Sequence, residues 1–138
     1  MTAKTPFTDG ILRKSILVLS LSKHLHGTPI SSGIAAELSK PKASKFNKYF
    51  DLVGFDLDPE YNKISSDLKR ELRERDWDGV LIGWCSRGNV AHTELFESLV
   101  GAMVEEQKVK PGLKLVFNTG PENLVEPALR NFPMEGGA

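Results

Sequence analysis

The stretch Ser15-Ile16-Leu17-Val18-Leu19-Ser20-Leu21 decides the fold. It is a near-continuous apolar run of strand length, and a strand without polar alternation is one covered on both faces. Parallel sheets flanked by helices bury their strands in this way, so the run predicts the central strand of an α/β domain. Together with Ile11-Leu12-Arg13-Lys14 it imitates a secretory leader, but Lys23, His24 and His26 follow with no small-residue cleavage site, so the segment reads as a buried strand.

Downstream, short apolar segments alternate with longer helical patterns. Ser31 or Ser32 can cap a helix through Ile34, Ala35 and Leu38, which Pro41 should stop or kink before Phe46 and Tyr49. A second strand, Leu52 to Leu57, ends at the Asp58-Pro59 turn. Tyr61, Ile64, Leu68 and Leu72 fall at helical spacing over residues 61–75, with charged residues filling the other face. Asp78-Gly79 turns the chain into a third strand, Val80 to Trp84.

Leu95, Phe96, Leu99, Val100, Met103 and Val104 form the broad apolar stripe of a third helix, wide enough for the sheet and a second subunit. Pro111-Gly112 leads to a fourth strand, Leu113 to Phe117. Thr119 and Glu122 have the spacing of a capping box for a last helix, which would bury Leu124, Val125, Ala128, Leu129 and Phe132 and kink or split at Pro127. Four successive β/α units imply a parallel sheet with helices on both faces. The expected fold is therefore a single three-layer α/β domain over residues 11–133, its four strands in the flavodoxin-like order 2-1-3-4, with flexible tails at 1–10 and 134–138.

Composition narrows the function classes. The 138 residues hold 40% hydrophobic and 26% charged side chains, an ordinary globular balance, and the 18 basic and 18 acidic residues cancel to a formal net charge of +0. No overall field draws the chain to nucleic acid or anionic lipid, and no apolar run approaches the roughly 20 residues of a membrane-spanning helix. Neither nucleic acid nor membrane is expected as a partner. The single cysteine, Cys85, cannot form an internal disulfide, which favours a reducing, cytoplasmic setting.

The run Asp78-Gly79-Val80-Leu81-Ile82-Gly83 with Arg87, then Glu94-Leu95-Phe96, and later Phe117-Asn118-Thr119-Gly120-Pro121-Glu122, resembles a small, functionally uncharacterised α/β family of Rossmann or flavodoxin-like type. The resemblance covers roughly the C-terminal half of the chain. It implies the α/β fold and no particular activity.

In open parallel sheets ligands bind beyond the carboxyl ends of the strands, where loops and helix amino termini converge. The loops there carry Ser20, Ser22, Lys23, His24 and His26 after the first strand, Asp56 and Asp58 around the end of the second, Cys85, Ser86, Arg87 and His92 after the third, and Asn118 and Thr119 after the fourth. Arg87, between a buried strand and a helix start, is suited to anchor a carboxylate or phosphate, or else to pair with a loop carboxylate or capping carbonyls. A Cys85 thiolate lowered by Arg87 and a helix start could act as nucleophile, although unpaired cysteines are usually small buried residues. His24, His26 and His92 are candidate proton carriers.

Ser22, Lys23, Asp56, Ser86, Asn118 and Thr119 are candidate ligand contacts, the last two equally explained by a capping box and a tight turn. His24-x-His26 with Asp56-x-Asp58 could ligate a divalent ion, but histidines in a polar loop are more often solvated, so no metal is expected. Trp77 and Trp84 read as packing residues. The first loop has neither a Gly-x-Gly-x-x-Gly nor a Walker pattern, which removes support for a dinucleotide, and no cofactor is expected. Two functions follow: a small enzyme or binder acting on an anionic small molecule at the C-terminal sheet edge, or a non-catalytic ligand-binding or interaction module that forms a homo-oligomer through the 93–107 helix.

Overall fold

The computed structural model describes residues 13–58, 66–120 and 123–133. Its centre is a single four-stranded sheet formed by β1 (Lys14–Ser20), β2 (Phe50–Asp56), β3 (Gly79–Ile82) and β4 (Lys114–Phe117), in the order β2-β1-β3-β4 with every pairing parallel. This is the expected fold class and strand order. Among the described residues six α-helices accompany it: α1 (Ser22–His26), α2 (Ile30–Leu38), α3 (Ser66–Glu74), α4 (Trp84–Arg87), α5 (Thr93–Val109) and α6 (Val125–Asn131).

Strand periodicity explains the two cores. Ile16 and Val18 of β1, Leu81 of β3 and Val116 of β4 point to the face covered by Ile30 and Ile34 of α2 and Ala128 of α6. Leu17 and Leu19, with Val80 and Ile82, point to the opposite face, where Leu68 and Leu72 of α3 and Leu95, Leu99 and Met103 of α5 cover them. From Ser15 to Leu21 every residue of the central run is buried, as a strand between two helical layers must be.

Several local expectations need correction. The first loop contains the short helix α1, ended by Gly27, whose φ of 76° is the left-handed conformation that glycine adopts at a helix stop without a Cβ clash. Ser31 and Ser32 lie inside α2 and do not cap it. Trp84 opens α4 and is not part of β3. Pro127 neither kinks nor splits α6, because it occupies the first turn, where no amide is required. The α5 stripe is narrower than expected: Leu95, Leu99 and Met103 are buried, Phe96 and Val100 partly so, and Val104 is 46% exposed. Tyr61 and Ile64, Glu122 of the capping box, and both tails lie outside the described residues.

Candidate functional site

The C-terminal ends of β1, β3 and β4 open onto a cleft of about 270 Å³ on the α2/α6 face of the sheet. Its interior is made by Val18, Leu81, Ile30 and Leu124, together with Gly33 of α2, whose missing side chain leaves space there. Ser20, Ser22, His26, Thr28, Trp84, Cys85 and Asn118 supply its polar and rim groups. Thus Ser22, His26, Cys85 and Asn118, four of the residues singled out in the sequence, come together in one place.

The first amide of each of three helices around the cleft, α1, α2 and α4, is bonded from within the chain. The first amide of α1, that of Ser22, donates to Ser20 Oγ at 3.0 Å. The first amide of α2, that of Ile30, donates to Asp56 Oδ1 at 2.9 Å, and the first amide of α4, that of Trp84, donates to Asn118 Oδ1 at 2.9 Å. Each acceptor sits at or just beyond the end of a strand, so sheet and helices are tied together along one rim. Each is one of the amides that a carboxylate or phosphate can use at a helix start.

Asp56 is therefore a cap for α2. Asn118, buried at 3% exposure, lines the cleft while both ends of its amide are engaged, since Nδ2 also donates to the Gly120 carbonyl at 2.8 Å. Ser22 Oγ donates to the Thr28 carbonyl at 2.9 Å, which fixes the α1 turn. Ser86 is buried with its hydroxyl donating to the Gly83 carbonyl at 2.9 Å, and Thr119 bonds Asn123 Oδ1 through its amide and its hydroxyl. These contacts give Asp56, Ser86 and Thr119 structural partners within the chain.

Arg87 is likewise outside the cleft. Its Nη2 donates to the Asn118 carbonyl at 2.5 Å, and its guanidinium lies 5.7 Å from the ring centre of Phe117, which packs toward the α3/α5 layer. This is a pairing with a loop carbonyl, made by one nitrogen of an exposed guanidinium. Lys23 and His24 are exposed on α1 and do not line the cleft. The His24 and His92 rings meet edge to face at 6.5 Å. Among the described residues, no three His, Cys, Asp or Glu side chains are grouped as a metal site requires.

Burial pushes the Cys85 thiol above its ordinary pKa. Of the two sequence readings of Cys85, a lowered thiolate and a small buried residue, the raised pKa goes with the second. Eleven of the fifteen described residues that line the cleft were not among the candidate site residues, and four of them bear on its shape or chemistry. Ser20 and Thr28 flank α1, Gly33 is a glycine in mid-helix, and Trp84 was read as a packing side chain but is 38% exposed at the rim. The signals for the last two were a costly helix-interior glycine and an aromatic residue directly after a strand end. In comparisons with known proteins the chain matches no family model, no curated protein and no solved structure.

Proposed function

We propose that this chain binds a small organic molecule with a mainly apolar body in the cleft at the C-terminal edge of the sheet, in a setting that keeps Cys85 reduced. The observation that carries the reading is the makeup of the cleft: apolar walls from Val18, Leu81, Ile30 and Leu124, with a few polar groups at the rim. Small-molecule sites have this composition, and their volumes start near about 300 Å³. The carboxylate or phosphate expected from the sequence loses support, because Arg87 and Lys23 do not line the cleft and the first helix amides are already bonded. Ser20, Thr28 and His26 are the groups suited to a polar end.

Binding is favoured over covalent catalysis. His26 and Cys85 share the cleft, but the thiol is held in its less nucleophilic form. A homo-oligomer through α5 is not part of the reading, because most of that helix's apolar stripe packs against the sheet and leaves Val104 and Val109 as its exposed large hydrophobic residues.

Gly33 provides the test. A Cβ there would meet Ile30 Cδ1 at 3.8 Å, an ordinary contact, so Gly33→Leu should fill the cleft without displacing the backbone. It should also improve the helix by up to about 1 kcal/mol. Titration with the neutral dye N-phenyl-1-naphthylamine should give saturable fluorescence with the native chain and none with Gly33→Leu, which should unfold at an equal or higher urea concentration. Equal binding to both chains, or no binding to the native one, overturns the proposal.

A further inference from the structure

We infer that the ligand of this cleft is an uncharged molecule with a flat aromatic ring, stacked on the indole of Trp84; the inference rests on the binding reading above. A tryptophan with 38% of its surface exposed at the mouth of an apolar cleft presents a large hydrophobic face to whatever enters. The contrast within the chain is direct, since Trp77 is 2% exposed and its Nε1 donates to the Glu71 carbonyl at 2.9 Å.

Trp84 is also anchored through its backbone. Its backbone N–H is bonded to the buried Asn118. A Cβ built on Gly88 would lie 3.4 Å from Trp84 Cε3 and 3.8 Å from Cζ3, so the edge of the six-membered ring lies beside a position that carries no side chain. A platform whose backbone is anchored before the ligand arrives has less freedom to lose on binding.

Charge and size complete the identification. Among the described residues, no Asp, Glu, Lys or Arg lines the cleft, and His26 is the one basic side chain that does. A neutral ring therefore enters without leaving a charge unpaired. An apolar cavity of about 150 Å³ suffices for benzene. At about 270 Å³ this cleft has room for a two-ring system.

A matched pair of probes tests the inference by calorimetry: 2-naphthalenemethanol and its saturated counterpart, decahydronaphthalene-2-methanol, which share a carbon skeleton and differ in flatness. The native chain should bind the aromatic alcohol about tenfold more tightly than the saturated one, the scale of an aromatic pair. Trp84→Leu should abolish that preference and Trp84→Phe should keep most of it. The anion 2-naphthoate should bind more weakly than the aromatic alcohol.

Equal affinity for the two alcohols, retention of the preference in Trp84→Leu, or tighter binding of 2-naphthoate overturns the inference. If Gly33→Leu excludes both alcohols in the equal-affinity case, the cleft reading survives and the stacking does not. If the native chain binds neither alcohol, and no N-phenyl-1-naphthylamine either, both fall together.

Discussion

The carboxylate of Asp56 accepts the backbone N–H of Ile30 at 2.9 Å, so the first turn of α2 is closed by a residue 26 positions further along the chain. A cap supplied by the end of the next strand fixes the helix on the sheet as well as satisfying a donor. Asp56→Ala should therefore lower stability by about 1 kcal/mol. Asp56→Asn, which keeps an acceptor oxygen, should lose less, and urea unfolding of the two variants checks the order.

Asn118 has the heavier structural role, because one buried amide serves two backbone groups, the Trp84 N–H and the Gly120 carbonyl. Removing it leaves both without their partner, and Asn118→Ala should cost roughly 1–3 kcal/mol. It should also release Trp84 at the rim and shift its emission to the red, while the buried Trp77 is unaffected. Fluorescence and urea titration of the same variant read both effects.

Arg87→Ala should leave the affinity for N-phenyl-1-naphthylamine within about twofold of the native value, a change below about 0.5 kcal/mol. The guanidinium bonds the Asn118 carbonyl and lies over Phe117, away from the cleft. A large loss of dye binding in a variant that remains folded would return Arg87 to the site.

Cys85 supplies the pH-dependent prediction. Its folded-state pKa is raised by burial, so below the ordinary thiol range both states keep the proton and the stabilising contribution is full. Above that range the unfolded chain ionises first, and the contribution is lost as pH rises through the folded pKa. The urea midpoint of the native chain should fall from pH 8 to pH 10 relative to Cys85→Ala. Iodoacetamide should modify Cys85 more slowly in the folded chain than in urea, with the gap narrowing as pH rises.

The central part of the fold was legible because burial on both faces writes a strand as an unbroken apolar run, as at Ile16 to Leu19. The α3 segment was legible for a related reason: Leu68 and Leu72 lie one turn apart among charged residues. Pro127 misled because a proline is disruptive or harmless according to its position in the helix, and the helix start, set by Leu124 entering the core, is a tertiary property. α1 went unseen because no residue of it is buried, so no periodicity marks it.

The site was legible as a place more than as a set of roles. Ser22, His26, Cys85 and Asn118 do reach the cleft. Whether an arginine at a loop faces a ligand or a carbonyl depends on partners distant in sequence. Arg87 meets the carbonyl of a residue 31 positions away, and no local pattern encodes that choice.

The two long-range caps tie the rim to opposite margins of the sheet, for β2, which carries Asp56, and β4, which is followed by Asn118, are its outer strands. If either margin frays, a wall beside the cleft loosens with it, at Ile30 in one case and at Trp84 in the other. Hydrogen exchange at these two amides should therefore time the detachment of the strand that each depends on, and not the local melting of its own helix. A fragment ending after α4 would contain Trp84 without the side chain that pins it, which makes the cleft a property of the assembled sheet.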